Sequence, residues 1–302
     1  MDVAKLLPPE ALEKAKLFCL DEYRDYLIYK KLAEHEVNQN TREVLLQFAE
    51  QEYRHYEFWK SIVGECKSEL SRFDVTKIRI LRKLFGLTFA LKYLEMHESE
   101  VIENYKRYLN YLEGDARRML EEIINDELQH ESTLLQGLNE GVVRYLSFIA
   151  LGLADAIVEI TGVHAGFLGA TKETLVAGIA GLIVGVSAAI SMAGAAYLQA
   201  KAEVSDRKPG MSAWVTGTSY LAAVIALALP YFMTQHQLTA FIISVILAVL
   251  IISGFTYYNA VLSETPFKKE IMENLLILFG TAMVAYIFGN IIGGIFGLEG
   301  IL

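Results

Sequence analysis

Two short motifs that pair a glutamate with a histidine lie in the first half of the chain. They read Glu52-Tyr-Arg-His55 and Glu127-Leu-Gln-His130. A helix brings residues i and i+3 onto one face, so each motif can direct a carboxylate and an imidazole to one metal ion. This ligand mixture suits iron or manganese better than copper or magnesium. One such motif in a Glu-rich helix usually marks a solvated face, but two at matched positions indicate a metal site.

The surrounding sequence repeats the same arrangement in each half. Glu22 precedes Glu52 by 30 residues, and Glu95 precedes Glu127 by 32, with Glu98 close to Glu95. Apolar residues recur at helical spacing through 10–37, 41–66, 86–112 and 115–140 without any strand signal. The pattern predicts an all-α four-helix bundle in which glutamates from two helices complete a carboxylate-rich site for two metal ions.

With these motifs, residues 10–140 resemble the ferritin-like superfamily and its rubrerythrin branch, including Tyr29 two turns after Glu22. The resemblance implies a di-iron site, in which manganese or zinc can substitute. It implies the metal ligands Glu22, Glu52, His55, Glu95, Glu98, Glu127 and His130. The chain departs from rubrerythrin in lacking the four-cysteine rubredoxin-type domain, so a peroxidase cycle would need another electron donor. We expect Cys19 and Cys66 to be small packed residues in a reducing compartment.

Charge divides the chain into two parts. Residues 1–143 contain 20 Lys/Arg and 27 Asp/Glu, a net charge of 20 − 27 = −7, whereas 144–302 contain 7 and 9, a net charge of −2. The acidic first part does not suit nucleic acid and suits divalent cations. We therefore predict a bundle domain over residues 1–141 and a membrane domain over 142–302.

The membrane domain opens with an apolar helix in which only Asp155 and Glu159 carry charge between Arg144 and Lys172. These acids share one helix face, and charge at mid-membrane is expensive, so we expect them to face a protein interior or a water-filled path. A segment of roughly 20 apolar residues can span a bilayer. The sequence predicts five spans, at about 144–170, 174–200, 212–233, 238–260 and 274–298.

Residues 144–297 resemble the vacuolar iron transporter family. The resemblance rests on Asp155 in the first span and on Ser191-Met192-Ala193 and Tyr197-Leu198 in the second. It implies that Asp155 and Met192 line a translocation path, and helix geometry adds Glu159. The family's Gly and Glu are replaced by Ala156 and Ala196, and only 201–210 connect spans two and three, where plant-type members carry a metal-binding insert. The bundle domain would take over the role of that insert.

Positive charge predicts the orientation of the spans. Lys201, Arg207, Lys208, Lys268 and Lys269 fall in loops on the N-terminal side, whereas the opposite loops contain only Lys172. Cationic loops remain in the cytoplasm, so we expect a cell-membrane protein with a cytoplasmic bundle and a C-terminus on the opposite side. Small residues at Gly181/Gly185 and Gly289/Gly293/Gly297 permit close helix contacts. Such contacts form either within one chain or between the two chains of the homodimer that we expect.

Two segments allow alternative interpretations. The stretch 72–85 has five cations, one acid and an apolar stripe at Ile78, Leu81, Leu84 and Phe85. It either rests on an anionic leaflet or is an ordinary crossover between helices. His164, nine residues after Asp155, either caps the outer mouth of the membrane domain or binds a ligand.

The two resemblances together predict a transporter that exports Fe2+ or Mn2+ from the cytoplasm, coupled to protons. The bundle would capture, buffer or sense the metal. The alternative is a membrane-anchored ferritin-like oxidase or peroxidase, and ferroxidase or peroxidase activity is compatible with either. A third hypothesis makes the bundle an iron sensor that gates the transporter. An anchor needs only one span and no buried acid, which favours the transporter.

Overall fold

The structure is a computed structural model that describes residues 7–67, 72–94, 96, 98–137, 141–203 and 207–298. Within these ranges, the side chains of 72–75, 98–99, 130–137 and 141–142 are not described. The chain divides into two compact units, Met1–Glu140 and Gly141–Leu302, here called unit 1 and unit 2. The described residues form helices and no strand, so the predicted all-α class is confirmed.

Unit 1 contains six α-helices in its described part. They are α1 (Pro9–Glu34), α2 (Gln39–Val63), α3 (Arg72–Phe85), α4 (Leu87–Leu94), α5 (Glu98–Tyr108) and α6 (Gly114–Gly137), and a 3₁₀ turn over Leu109–Tyr111 follows α5. Local sequence explains the ends of α2. The side chain of Asn38 accepts a hydrogen bond from the Thr41 amide, and Gly64 ends the helix at φ +87°.

The sequence predicts one helix over 86–112, and this expectation is wrong. Gly86 has a positive φ and separates α3 from α4. Within 86–112, one described helix ends at Leu94 and the next begins at Glu98. The third helical layer of unit 1 therefore consists of short helices.

In the described part of unit 1, two apolar clusters hold the helices together. One surrounds Trp59, which is fully buried against Phe18 and Tyr105, and the other contains Ile28, Leu45 and Leu91. The second cluster also takes up the stripe of α3, because Ile78 is buried in it and Leu81 packs against it. Leu84 and Phe85 of the same stripe are exposed. Helix α3 is thus packed at its centre and apolar on its outer surface near the C-terminal end.

The two cysteines of the chain are joined rather than separately packed. Cys19 of α1 and Cys66, after α2, form a disulfide with Cα atoms 6.1 Å apart. Both lie in the cluster around Trp59. The expectation of two unlinked packed residues is therefore wrong. It could not be corrected from sequence, because the 47-residue separation gives no sign that the ends of these helices meet.

The described part of unit 2 contains five helices long and apolar enough to cross a membrane, over Leu146–Ala170, Thr174–Ala202, Pro209–Met233, Gln237–Ser263 and Phe267–Phe296. We number its helices α7 (Gly141–Arg144), α8 (Leu146–Ala170), α9 (Thr174–Ala202), α10 (Pro209–Ala228), α11 (Pro230–Met233), α12 (Gln237–Ser263) and α13 (Phe267–Phe296). Pro230 separates α10 from α11 within the third span because proline interrupts the helical hydrogen-bond ladder.

Glycines bring the membrane helices close together within one chain. A Cβ on Gly289 of α13 would collide with the backbone of Gly166 on α8, and one on Gly293 would lie 2.8 Å from the carbonyl oxygen of Ala170. Gly185 of α9 is similarly close to Val224. Gly297 instead ends α13 with φ +67°. The predicted small-residue contacts therefore form between helices of the same chain.

Candidate metal centre and membrane acid pair

Four side chains from three helices meet in the interior of unit 1. They are Glu22 of α1, Glu52 and His55 of α2, and Glu127 of α6, each with one ligand atom within 4.8 Å of the others. All four are at most 5% exposed. Glu52 and His55 belong to one motif, and their i, i+3 spacing places both side chains on the inner face of α2.

The Nδ1 atom of His55 faces the carboxylates. It lies 3.0 Å from Glu127 Oε1, 3.4 Å from Glu22 Oε2 and 3.7 Å from Glu52 Oε2. Burial alone lowers the pKa of His55, but the surrounding carboxylates, Glu22 foremost, raise it well above its ordinary value. Burial and the nearby Glu127 raise the pKa of Glu52. In the absence of a metal, this site therefore retains protons.

The other nitrogen of His55 faces an acid that we did not predict from sequence. Nε2 lies 3.4 Å from Oδ2 of Asp126, and Nη2 of Arg54 lies 3.5 Å from the same oxygen. A carboxylate at the far nitrogen of a ligating histidine fixes its tautomer and ring orientation. The only sequence signal was the position of Asp126 beside Glu127, which the abundance of acids in unit 1 conceals.

Tyr105 is a second residue at this site that the sequence analysis missed. Its hydroxyl donates a hydrogen bond to Oε1 of Glu22, and its ring lies 4.8 Å from Phe18 and 5.1 Å from Trp59 between centroids. Burial raises the pKa of Tyr105 well above its ordinary value. It therefore remains a donor that holds one oxygen of Glu22. The sequence signal for Tyr105 was its position seven residues, or two helical turns, after the predicted ligand Glu98, which places both on one helix face.

Three predicted ligands cannot be placed. Glu95 lies outside the described residues, whereas Glu98 and His130 lie in α5 and α6 but their side chains are not described. Their roles stay predictions. Tyr29 is buried and lines a cavity of about 330 Å³ together with the three glutamate donors. Burial also raises the pKa of Asp25, on the wall of this cavity, to about 7.

The donor set fits a metal ion. Three carboxylates and one imidazole nitrogen are hard and borderline ligands of the kind that iron and manganese accept, and their closest atoms lie within reach of one ion. The described donors account for one such ion. A second ion would depend on the predicted ligands that cannot be placed.

In unit 2, the predicted acid pair lies on α8. Glu159 is half-buried and accepts a hydrogen bond from the hydroxyl of Tyr220, a fully buried residue of α10. Met192 of α9 is half-buried and packs against an apolar cluster that contains Ile157 and Tyr220. Tyr220 was missed because an aromatic residue in an apolar helix gives no distinctive signal.

For Asp155 we expect a side chain that faces a protein interior or a water-filled path, and the single chain does not enclose it. It is exposed on the single chain, one turn before the half-buried Glu159. It lies nine residues into α8, or about 14 Å from the helix start, and therefore well inside a membrane span. An ionised side chain at that depth is stable only if protein or water covers it.

Comparison with protein families gave one match in each unit. A family model for rubrerythrin matches residues 10–138. A second model, for the VIT family, matches residues 202–290. The chain joins a rubrerythrin-type domain to a VIT-family domain. The predicted fusion is thus confirmed, and with it a membrane protein that has a ferritin-like domain. Comparison with curated proteins and with solved structures gave no match.

The two matches cover the candidate sites unequally. The rubrerythrin match includes the four buried donors as well as Asp126 and Tyr105. The VIT-family match covers the third and fourth spans in full and the fifth as far as residue 290, and it begins after Asp155, Glu159 and Met192. The VIT-family domain supports a metal ion as substrate, while the role of those three residues stays a prediction.

Proposed function

We propose that this chain is a transporter that exports Fe2+, with Mn2+ as the alternative ion, from the cytoplasm in exchange for protons. The VIT-family domain supports a metal substrate and a membrane location. The observation that carries the proposal is the acid pair Asp155 and Glu159 inside a membrane-spanning helix, next to the hydroxyl of Tyr220. An ionisable residue at this depth generally serves an ion pathway.

The acid pair would exchange metal for protons. Two carboxylates on one face of α8 can replace water ligands of a divalent cation, and Met192 would add a softer ligand from α9. Tyr220 donates to one oxygen of Glu159, which leaves the other oxygen for the ion. Protonation of either acid from the opposite compartment removes negative charge and releases the metal.

The exposure of Asp155 supports a homodimer. In lipid, a carboxylate on the outer surface of a single chain would be unsatisfied and costly. A second copy of unit 2 against this face of α8 would enclose Asp155 and place two acid pairs near one axis. The path would then lie at the contact between the two copies.

Unit 1 would capture or sense the metal. Glu22, Glu52, His55 and Glu127 would hold it, Asp126 would orient the ring of His55, and Tyr105 would orient Glu22. Iron bound there would supply reversible redox chemistry, which is the basis of the alternative, a membrane-anchored ferritin-like oxidase or peroxidase. The protons held by His55 and Glu52 without metal would leave when the ion binds.

The deciding experiment is Fe2+ flux in proteoliposomes under an imposed pH gradient, comparing the wild type with Asp155→Asn. Glu173→Gln is the matched control, because Glu173 is an exposed acid of unit 2 in the loop after α8. We expect gradient-dependent flux in the wild type and in Glu173→Gln, and its loss in Asp155→Asn.

Two results would contradict the proposal. Flux in Asp155→Asn equal to that of the wild type would show that the metal path does not run along this face of α8. No wild-type flux above that of empty liposomes, together with oxygen consumption on addition of Fe2+, would favour the anchored oxidase.

A further inference from the structure

Four buried polar residues lie at one end of unit 2, where the loops 171–173 and 234–236 connect the helices. Thr161 and His164 belong to α8, Tyr231 to α11 and Gln237 to α12, and each is at most 3% exposed. Six of their side-chain atoms form no hydrogen bond with any described part of the chain: Thr161 Oγ1, both ring nitrogens of His164, Tyr231 Oη, and the amide oxygen and nitrogen of Gln237. We call these four residues the polar cluster.

The packing shows that this end of the unit is built around His164. The ring of Tyr231 stacks on the imidazole with 4.0 Å between centroids. On α9, a Cβ at Gly181 would collide with His164 Nε2, and one at Gly178 would lie 2.7 Å from the Cβ of Tyr231. Two glycines one turn apart on α9 therefore provide the space that the stacked rings occupy.

The other two members lie close by along the helices. Thr161 is one turn before His164. Gln237 is one turn before Ala240, which packs in a small cluster with Tyr231 and Ala177. The hydroxyl of Thr174 donates to the carbonyl oxygen of Gln235 at 2.8 Å, joining the two loops above this region. Gln237 opens α12 directly after loop 234–236, whereas His164 lies six residues, or less than two turns, before the end of α8.

The polar cluster is separate from the acid pair. His164 follows Asp155 by nine residues, which in a helix of 3.6 residues per turn is about two and a half turns. It therefore lies on the opposite side of α8 and about 14 Å further along the axis. Glu159 and Tyr220 belong to the other side, so the known hydrogen bond between them does not satisfy the cluster.

Buried polar atoms without partners are rare because each costs free energy of desolvation. Of the seven such side-chain atoms in the described part of unit 2, six belong to the polar cluster and one to Thr265. A concentration of this kind indicates that water fills the remaining hydrogen-bonding positions. Water in a buried site needs two to four polar partners, and the cluster offers both donors and acceptors.

The chemistry of the cluster favours a proton over a metal ion. None of its four members is a carboxylate, so a divalent cation would bring two positive charges without compensation. The titratable neighbours on the packed elements are Tyr231 of α11 and, on α13, Tyr286, whose backbone meets Gly169. Elsewhere α13 approaches this stretch of α8 through Thr281 and Ala285, and α9 approaches it through Gly181. An imidazole that bonds water at both nitrogens can accept a proton at one and release it at the other.

We propose that the polar cluster is a hydrated proton-transfer site, in which His164 receives protons from the compartment at the end of unit 2 that carries loops 171–173 and 234–236. This inference rests on the proposed proton-coupled transport and adds its proton entry. A hydronium ion gives its proton to one imidazole nitrogen and becomes water. The other nitrogen then releases a proton to the next water, so charge and atoms balance without any redox change.

The test separates proton coupling from metal passage in proteoliposomes of the full chain. We would measure Fe2+ flux driven by a pH gradient and, without a gradient, exchange of isotopically labelled Fe2+ for unlabelled Fe2+. His164→Gln should lose the stimulation by the gradient and retain the exchange. The matched control is His236→Gln, because His236 is an exposed histidine in the loop at the same end, and it should behave as the wild type.

Each outcome bears on the inference. Gradient stimulation retained in His164→Gln would overturn it. Loss of both flux and exchange in a correctly folded His164→Gln would also overturn it, since His164 would then serve the metal path or the packing. If His164→Gln does not fold, Tyr231→Phe removes only the phenol oxygen from the hydrated site and should weaken gradient stimulation while retaining exchange. Unchanged stimulation in Tyr231→Phe would then count against the inference.

A spectroscopic readout makes the inference independent of transport. In protein labelled with 15N-histidine, the ring signals of His164 are identified by their loss in His164→Gln. We expect magnetisation transfer between these ring protons and water. If no magnetisation transfer is observed, the hydrated site is refuted, whatever the Fe2+ flux of the variants. Absence of all flux in the wild type would refute the proposed function and leave the hydration result to stand on its own.

Discussion

At the scale of single residues, His55 connects the metal donors of unit 1 with their surroundings. Its Nδ1 faces Glu22, Glu52 and Glu127, and its Nε2 faces Asp126. The ring can therefore bind a metal at one nitrogen while the acid at the other nitrogen holds its orientation. Asp126 would thus influence a bound ion without being among the buried donors.

Replacing Asp126 should weaken metal binding. We expect Asp126→Ala to reduce Mn2+ affinity about 10- to 100-fold, because the ring of His55 loses the carboxylate that orients it. Competition with a chromophoric chelator measures this in the full chain, with Glu52→Ala identifying which binding belongs to unit 1. Asp115→Ala, at an 88% exposed acid of the same helix, is the control. Equal affinities of the Asp126 and Asp115 variants would contradict the role of Asp126.

Protons in the same site should make stability depend on pH. The pKa values of His55 and Glu52 are raised in the folded, metal-free protein, so the folded state binds more protons than the unfolded state. Stability should then fall as pH rises above the ordinary values of these groups, about 4.5 for Glu and 6.5 for His. We expect the metal-sensitive thermal transition to occur at lower temperature at pH 8 than at pH 6 in the presence of a chelator.

Bound metal should abolish or reverse this pH dependence, because the ion replaces the protons and binds more tightly as pH rises. Glu52→Gln is the control, since it removes one of the two proton-binding groups and should flatten the dependence. A metal-free transition that becomes more stable between pH 6 and pH 8 would contradict the assignment.

The ligand types could be predicted from sequence because helical spacing alone decides which side chains share a face. Glu52 and His55 follow from one motif, and Glu22 and Glu127 follow from the repeat. Asp126, Tyr105 and Tyr220 could not be predicted, because their contacts depend on how neighbouring helices are rotated. The exposure of Asp155 had the same cause: spacing shows which face of α8 is charged, but not what covers that face.

At the scale of helices, the pair α8 and α13 depends on glycine. Gly289 faces the backbone of Gly166, and Gly293 faces Ala170. Such backbone contact allows van der Waals packing, which replaces the hydrophobic effect as the force between helices in lipid. The sequence indicated small-residue spacing but left open which helix, or which copy of the chain, they contact.

A single methyl group should show how close this contact is. We expect Gly289→Ala to destabilise unit 2 by about 2 kcal/mol, as overpacking of a tight contact does. Gly294→Ala on the same helix should have little effect, because a Cβ there meets nothing within 4 Å. Unfolding in mixed micelles with increasing SDS measures both variants. Equal stability of the two variants would show that α8 and α13 are not in backbone contact.

Helix boundaries were harder to predict than helix identity. The apolar period continues through 86–112, but the described residues of this stretch belong to two helices, one that ends at Leu94 and one that begins at Glu98. Periodicity reports which side chains face the core, and short helices in sequence can satisfy it as well as one long helix. The five apolar helices were clearer because length and composition identify them directly.

At the scale of the whole molecule, a second copy should cover the face of α8 that contains Asp155. In a background without Cys19 and Cys66, we expect Leu151→Cys to form disulfide-linked dimers in membranes, because Leu151 is exposed one turn before Asp155. Ile183→Cys on α9, at a 67% exposed position, is the control and should not cross-link. Cross-linking only at Ile183 would place the contact on another face.

The odd number of spans has a consequence for the termini. The five candidate spans among the described residues predict that the two ends of unit 2 lie on opposite sides of the membrane, and the cationic loops predict that the N-terminal side is cytoplasmic. A periplasmic alkaline phosphatase fused after residue 298 should be active, and a fluorescent protein fused at the same place should be dark. The reverse result would invert the proposed direction of transport.

The distribution of tryptophan gives each unit its own optical reporter. The chain contains two tryptophans: Trp59, fully buried in unit 1 beside Tyr105, and Trp214, 69% exposed on α10. A paramagnetic ion held by Glu22 and His55 would quench the emission of Trp59, whereas brominated lipid would quench that of Trp214. In Trp214→Phe, the emission comes from Trp59 alone and would report metal arrival in the bundle. In Trp59→Phe, it comes from Trp214 alone and would report contact with the bilayer.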